Sequence, residues 1–149
     1  MGGASTTSQA LIQSAGSGFR LRAAVMHEEF QRGGAFHKLL LRYTQALLTQ
    51  IAQTAVCNGL HPIAQRLCRW LLCIHDRVPS NEIRLTHEVL AQMSAVRRET
   101  VTVMARRLRA AGLIYCGPGH ITIADRLGLE ARVCECYQVV QDECTRLLE

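Results

Sequence analysis

Two short helices separated by a tight turn constrain the fold of this chain more than any other feature of its sequence. Thr86 is a good cap for the first helix, which must stop around residues 93–96. A longer second helix is predicted over Arg97–Ala111, where Gly112 ends it. Ala91 is small enough to let the second helix cross close to the first, so the pattern indicates a helix-turn-helix.

Short strand-like segments flank this pair of helices. Glu82–Leu85 alternates polar and apolar residues just before it, and Leu113–Tyr115 and His120–Ile123 enclose the turn sequence Cys116–Gly119 just after it. A strand, two crossed helices and a small hairpin, in that order, are typical of a winged helix-turn-helix. We therefore expect a mainly α-helical fold with a small β wing.

The outward face of the second helix is rich in arginine. Helical periodicity places Val101, Met104, Ala105 and Leu108 on its buried side. The residues left on the outward side are Arg98, Glu99, Thr102, Val103, Arg106 and Arg109. Such a face can be merely solvated, but next to a turn and a wing it favours DNA, because arginine suits guanine edges and phosphates. The net charge of +5 also suits a polyanion.

A long amphipathic helix is predicted over Phe36–Asn58, which contains no glycine or proline. Its large apolar residues recur every three or four positions, at Phe36, Leu40, Tyr43, Leu47 and Ile51. A core helix of a bundle is one interpretation. A dimer interface fits better, because Leu39, Leu41 and Leu48 broaden the apolar face beyond one partner surface. The next helix, predicted over Pro62–Asp76, has one apolar face, which we expect to pack in the core of the domain and not at a dimer interface.

The region 60–137 resembles the DNA-binding domain of the Crp/Fnr family of bacterial transcription regulators. The residues that carry the resemblance are Gln65-Arg66-Leu67, Trp70-Leu71-Leu72, Asp76-Arg77, Leu85-Thr86, Leu90-Ala91, Val96–Val101, Ala111–Ile114 and Cys134–Tyr137. The helix at 36–58 is similar to the family's dimerisation helix, and residues 19–35 resemble the end of its N-terminal sensor domain.

The resemblance implies roles for the exposed residues of the second helix. Arg98 and Glu99 match the family's base-reading arginine and glutamate, and Thr102 and Val103 complete the expected base-reading set. Val103 stands where well-studied members have a second arginine, which suggests an apolar contact at that base pair. The expected phosphate contacts are Thr86, Arg97, Thr100, Arg106, Arg109 and His120. Ala95 stands where glycine is usual, so a positive φ there would cost about 1 kcal/mol.

The resemblance also implies a homodimeric regulator that binds a palindromic double-stranded DNA site and contacts RNA polymerase, not an enzyme. Family members carry a sensor barrel ahead of the dimerisation helix, and only its tail can be present in this sequence. We therefore expect neither cyclic-nucleotide binding nor a cofactor. The second hypothesis is a sensor-less interaction module, which forms heterodimers with full-length family members and antagonises them.

Seven cysteines and six histidines raise the alternative of a metal or redox protein. Their spacing disfavours it, because the chain has no pair of Cys-x-x-Cys motifs and Cys134-x-Cys136 is a weak pair. Cys68 and Cys73 are five residues apart on a predicted helix and face different directions. We expect buried, reduced thiols and no metal site. His75-Asp76, the pair closest to a hydrolytic arrangement, is expected to cap a helix.

The two ends of the chain give weaker signals. Residues 1–18 are rich in Gly, Ser, Thr and Ala and predict a disordered tail. We find neither a secretory signal nor a run long enough to cross a membrane, and so expect a cytoplasmic protein without membrane contact. Phe19–Val25 is predicted to be strand-like, with a break at Gly33–Ala35, and residues 138–149 are predicted to form a helical tail.

Overall fold

The computed structural model describes residue 12 and residues 16–149. The elements in this described part are α1 (Ala23–Gln31), α2 (Gly34–Leu60), α3 (Ile63–His75), β1 (Glu82–Ile83), α4 (His87–Met93), α5 (Arg98–Ala110), β2 (Ile114–Gly117), β3 (His120–Ile123), α6 (Arg126–Glu130) and α7 (Cys136–Leu148). Most of the predicted disordered tail, residues 1–11 and 13–15, lies outside the described residues.

The prediction of a strand-like segment over Phe19–Val25 is wrong. Residues 16–22 form no regular secondary structure, and α1 begins at Ala23. A few alternating apolar residues do not make a strand without a neighbour to share backbone hydrogen bonds, and Phe19 is fully exposed. The two alanines at 23–24 and the glutamates at 28–29 are better helix formers, so the segment continues as a helix.

α1 and α2 meet at the predicted break. Gly33 and Gly34 both have positive φ, at 72° and 83°, which glycine adopts without strain. Across this break the Phe30 ring stacks on His37 with 4.1 Å between ring centroids, and His37 Nδ1 lies 2.7 Å from the Phe30 carbonyl oxygen. These contacts hold the short α1 against the start of α2.

α2 confirms the predicted long helix. It has 27 residues, or about 40 Å at 1.5 Å per residue, and extends two residues beyond each end of the predicted range. It also includes Gly59, just beyond the predicted range. α2 ends at Leu60, because the next residue, His61, has an extended backbone (φ −99°, ψ 147°), and Pro62 then leads into α3.

α3, α4, α5 and the small sheet share one hydrophobic core, which confirms the predicted mainly α fold with a β wing. α3 contributes the predicted stripe, with Leu67 and Leu71 buried and Trp70 at the edge. α5 buries Val101 and Leu108 on the side that periodicity predicts. The other fully buried large side chains of this core are Leu72, Leu90, Leu113, Ile114, Ile121 and Leu129.

The wing is a three-stranded antiparallel sheet in the order β1-β3-β2. Ile83 of β1 pairs with Ile121 of β3, and Ile114 of β2 pairs with Ile123 of β3. All three strands therefore direct isoleucines into the core, while the turn between β2 and β3 extends away from it.

The C-terminal segment packs against the rest of the chain. α7 begins at Cys136, two residues before the predicted tail, and its Glu143 accepts a hydrogen bond of 3.3 Å from Gln45 of α2. Asp76, at the end of α3 as predicted, accepts from Arg126 at 2.8 Å and from the Tyr137 hydroxyl at 2.9 Å. Burial, followed by the Asp76 carboxylate, raises the pKa of Tyr137 to about 12, so the phenol keeps its proton and donates.

Candidate nucleic-acid interface

The turn between α4 and α5 has a defined backbone geometry. Thr86 Oγ1 accepts from the Val89 N–H at 3.2 Å and caps α4, as predicted. After α4, the Val96 N–H donates to the Ala91 oxygen at 3.0 Å. Ala95 lies between them with φ of 51°, the one positive φ outside glycine among the described residues. Ala95 therefore has the positive φ that the sequence analysis considered, at a cost of about 1 kcal/mol.

Arg66 joins this turn to the end of α2. Its Nη1 donates to the Ser94 carbonyl oxygen in the turn and to the Asn58 carbonyl oxygen near the end of α2, both at 3.0 Å. Charge-assisted hydrogen bonds of this kind are stronger than neutral ones. The position of the turn is therefore coupled to the last turn of the long helix.

The start of α5 presents most of the predicted base-reading residues to solvent. Arg98 and Glu99 are exposed in its first turn, and Val103 is 47% exposed one turn later. Glu99 also lies where the helix dipole favours an acidic side chain. These three side chains share the side of α5 that faces away from the core.

Thr102, the fourth predicted base-reading residue, is less available. It is half-buried, and its hydroxyl donates to the Arg98 carbonyl oxygen at 3.1 Å. His87 Nδ1 of α4 lies 3.1 Å from the same hydroxyl oxygen. Burial, and secondly the positive charge of Arg98, lower the pKa of His87. Thr102 thus contributes to the packing of α4 on α5 as well as to the exposed face.

The predicted phosphate-contacting residues surround this face. Arg97 is the N-cap residue of α5, and Arg106 and Arg109 are exposed further along the helix. Thr100 is half-buried in the first turn. Thr86 is exposed, although its hydroxyl already accepts a hydrogen bond as the cap of α4.

His120 lies at the tip of the wing. Its Nδ1 is 3.3 Å from the Pro118 oxygen, and its ring covers Gly117 so closely that a β-carbon there would lie 2.1 Å from the ring. A side chain at position 117 would therefore have to displace the His120 ring. The wing turn thus consists of a Gly-Pro-Gly sequence followed by the half-buried His120.

The arginines of α5 and its N-cap have no acidic partners within the described part of the chain. The ion pairs found there involve Arg32, His61, Arg126 and Arg146 instead. The arginines of α5 and its N-cap, none of which forms an ion pair with a described residue, are Arg97, Arg98, Arg106, Arg107 and Arg109. We call this set the α5 arginine row. Arg107 was not among the sequence-predicted contacts, although it is exposed.

α2 exposes a row of large apolar side chains along the predicted dimer interface. Phe36, Tyr43, Leu47 and Ile51 are 37%, 53%, 41% and 57% exposed, and Leu40 is half-buried. Further exposed large apolar residues on α2 are Leu39, Leu41, Leu48, Val56 and Leu60. We call the first five residues the α2 apolar stripe.

The structure brings together one cluster of cysteine and histidine side chains that the sequence did not predict. The ligand atoms of Cys57, His61, Cys134 and Cys136 all lie within 4.8 Å of one another, three of the side chains being buried. Spacing along the chain predicts no metal site, because the pair Cys57 and His61 is far in sequence from the pair Cys134 and Cys136, Cys57 and Cys134 being 77 residues apart. A signal was present in each half: Cys57 and His61 are four apart at a helix end, and Cys134 and Cys136 enclose one residue.

A Crp-like helix-turn-helix domain model matches residues 65–132, which include α4, α5 and the wing hairpin. No curated protein matches the sequence. In the part of the chain that the structure describes, no helix is both long and apolar enough to cross a membrane.

Two solved structures share this fold. One is a Crp-family transcriptional regulator from Thermus thermophilus, 21% identical, with a TM-score of 0.55 over 75% of this chain and 55% of that one. The other, from Eubacterium rectale, is described as a transcriptional regulator of the Crp/Fnr family, 24% identical, with a TM-score of 0.54 over 77% of this chain and 52% of that one. This chain therefore spans about half the length of either protein.

Proposed function

We propose that the chain is a sequence-specific DNA-binding regulator of transcription, on the premise that residues 65–132 match the Crp-like helix-turn-helix domain model. It acts as a dimer on a palindromic site, with α5 in the major groove. The observation that carries this proposal is the α5 arginine row, which is exposed, without ion pairs and close to a wing.

The first turns of α5 carry the sequence reading. Arg98 donates two hydrogen bonds to a guanine edge, and Glu99 accepts from a cytosine amino group. Val103 meets a thymine methyl group, since its exposed side chain offers only an apolar contact. Thr102 adds a van der Waals contact from its methyl group, because its hydroxyl is held within the protein.

The surrounding residues hold the helix on the backbone. Arg97, Arg106 and Arg109 bind phosphates, and Thr86, Thr100 and His120 contact the backbone on either side of the groove. Contacts of this kind position the protein without reading sequence. They also release counterions, so binding weakens as salt rises, with a slope of about −0.9 per phosphate contact.

The α2 apolar stripe pairs with the same stripe of a second copy. This interface places two α5 helices on opposite sides of a two-fold axis. The half-sites then lie about 34 Å apart, one turn of DNA, in successive major grooves.

Selection of binding sites from a random duplex pool tests the proposal, with the affinity of the winning duplex followed against salt. We expect a palindromic winner that keeps its advantage over random duplexes at physiological salt. Arg98→Ala should lose the preference at one base pair of each half-site. Arg22→Ala, which removes an exposed arginine outside the helix-turn-helix, is the matched control and should select the wild-type site. Equal binding of all duplexes, lost steeply with salt, would contradict sequence-specific regulation.

A second candidate function rests on the α2 apolar stripe alone. A stripe that pairs with its own copy can also pair with the similar helix of a full-length family member, and the resulting heterodimer would be inactive. Co-purification with such a relative, together with indifference to DNA sequence, would favour this interaction module over direct regulation.

A further inference from the structure

Three cysteines and one histidine meet where the end of α2 contacts the start of α7. Cys57 Sγ lies 3.6 Å from Cys134 Sγ, and Cys136 Sγ lies 3.5 Å from His61 Nδ1. All four ligand atoms are within 4.8 Å of one another. Cys57 and His61 are 75 to 77 residues away from their partners Cys134 and Cys136 in sequence, so only the fold brings these atoms together.

Each half of the cluster is organised by a turn of backbone. The His61 N–H donates to the Cys57 oxygen at 3.1 Å, which closes the last turn of α2 and brings both side chains to one side. The Tyr137 N–H donates to the Cys134 oxygen at 3.1 Å, so Cys134 and Cys136 lie in the turn that starts α7. Both pairs of ligands are therefore arranged before any metal binds.

The three cysteines of the cluster are buried apart from the main core. Cys57, Cys134 and Cys136 are 0%, 3% and 1% exposed and form a buried cluster of their own, without an aliphatic member. By contrast, Cys68 and Cys73 pack among the leucines and isoleucines of the main core. Three thiols and an imidazole converge at one place, and sulfur and nitrogen are the ligand atoms that zinc prefers.

Two of the six distances between ligand atoms match those around a single tetrahedral metal ion, and the other four are no longer than 4.8 Å. Zinc binds cysteine sulfur at about 2.3 Å and histidine nitrogen at about 2.0–2.1 Å, so tetrahedral angles place sulfur atoms about 3.8 Å apart and sulfur and nitrogen about 3.6 Å apart. The observed 3.6 Å and 3.5 Å are close to these values. A multi-iron cluster distributes its thiolates over different iron atoms and needs them farther apart.

Glu135 gives His61 the support that metal-binding histidines usually have. Its Oε1 lies 3.2 Å from His61 Nε2, whereas the Cys136 sulfur lies at Nδ1, the other ring nitrogen. With the proton on Nε2 donated to this carboxylate, Nδ1 is left free to bind a metal. The His61 ring therefore lies between the Glu135 carboxylate on one side and the cysteine sulfurs on the other. Its side chain is only 16% exposed.

We propose that Cys57, His61, Cys134 and Cys136 bind one Zn²⁺ as a closed structural site. Three thiolates and a neutral imidazole fill the four tetrahedral positions, which leaves no open position for a substrate. Each thiol releases its proton to the buffer as it binds. The ion fastens the end of α2 to the start of α7.

This site lies next to the link between α2 and the helix-turn-helix. Cys57 directly precedes Asn58, whose carbonyl oxygen accepts from Arg66, and the same Arg66 nitrogen holds the turn at Ser94. Zinc therefore stiffens the junction from which α5 is presented, without contacting the DNA interface.

Cobalt substitution in the reduced full chain tests the site directly. After chelator treatment under reducing, anaerobic conditions, the chain is titrated with Co²⁺ and then with Zn²⁺. We expect one Co²⁺ per chain, with the intense visible bands and near-ultraviolet thiolate charge transfer of tetrahedral coordination, and displacement by one equivalent of Zn²⁺. A chain that binds no Co²⁺, or gives the weak spectrum of octahedral coordination, overturns the proposal.

Variants assign the ligands. Cys136→Ser should reduce the charge-transfer intensity by the share of one thiolate in three and weaken Zn²⁺ binding. Cys144→Ser, on the same helix but outside the cluster, is the control and should retain wild-type spectrum and affinity. Glu135→Gln should keep the tetrahedral spectrum and weaken Zn²⁺ binding by about 10- to 100-fold. Equal Zn²⁺ affinities of the Cys136 and Cys144 variants would overturn the assignment.

Thiol counting separates the site from a redox pair. The reduced, metal-free chain should show all seven cysteines reactive on unfolding, and Zn²⁺ should protect the cluster before unfolding. A Cys57–Cys134 disulfide whose reduction restores no metal binding would overturn the proposal. None of these readouts involves DNA, so a failure here is distinguishable from a failure of the proposed DNA binding.

Discussion

The exposed faces of α2 and α5 differ in kind although both helices lie in one small chain. α2 exposes the apolar stripe of Phe36, Tyr43, Leu47 and Ile51, with Leu40 half-buried beside them. α5 exposes the arginine row, with Glu99 as the acidic residue of its first turn. An apolar face gains free energy only by leaving water, whereas guanidinium groups without ion pairs gain it by meeting anions.

The difference indicates two kinds of partner for one chain. Burying the α2 stripe against another protein surface contributes about 25 cal/mol per Å² and depends little on salt. Contacts between the α5 arginine row and phosphates depend steeply on salt. The proposed assembly and the proposed DNA binding are therefore separable by substitution and by ionic strength.

The largest expected effect is on assembly, from Leu47→Glu in the middle of the α2 stripe. A two-fold interface contains this position twice, and each buried leucine contributes about 1.5–3 kcal/mol. We expect the dimer dissociation constant to rise by at least about 100-fold, as measured by analytical ultracentrifugation.

The control for this experiment is Leu127→Glu, the same change at an exposed leucine on α6, 76% exposed and outside the stripe. It should leave the dimer intact. If both variants stay dimeric, the α2 stripe is not the interface, and if both dissociate, the effect of Leu47→Glu is not specific to α2.

The next effect compares two arginines of α5. Arg98→Ala should cost about 1–3 kcal/mol on the selected site and relax the preference at one base pair. Arg106→Ala should weaken binding to all duplexes alike and reduce the salt slope by about 1. Fluorescence anisotropy on the selected and a scrambled duplex, over a range of salt, distinguishes the two. Equal losses on both duplexes for Arg98→Ala would remove it from base reading.

Local patterns predict the helix-turn-helix well, because caps and breakers act within a few residues. Thr86 caps α4 as predicted, the α5 boundaries are correct within one residue, and the hairpin lies where Pro118 and its neighbours place it. The buried side of α5 follows from its 3.6-residue period. The α1 helix was not predicted, since a short alternating segment carries no information on whether a neighbouring strand exists.

Contacts between distant segments could not be predicted in the same way. The cysteine and histidine cluster joins residues 75 to 77 apart, and nothing in either half specifies that α7 returns to α2. The partial burial of Thr102 likewise depends on His87 from the preceding helix. Both facts follow from packing, which one helix wheel does not describe.

A smaller effect tests the strain in the turn that aims α5. Ala95→Gly removes the cost of a β-carbon at φ of 51° and should raise the free energy of unfolding by up to about 1 kcal/mol. Ala52→Gly, the same change in the interior of α2, should lower it by about 0.5–1 kcal/mol. Urea denaturation measures both. Destabilisation at both positions would show that the turn is not strained.

The smallest expected effect is a pH dependence at the contact between α4 and α5. Because burial and Arg98 lower the pKa of His87 from 6.5, the folded chain binds fewer protons there than the unfolded chain. The neutral imidazole therefore stabilises the fold fully above pH 6.5, and this contribution is lost as the pH falls below that value. His87→Gln should reduce the loss of unfolding free energy on acidification, measured by urea denaturation on both sides of pH 6.5. An identical slope in variant and wild type would show that His87 does not couple the packing of α4 on α5 to pH.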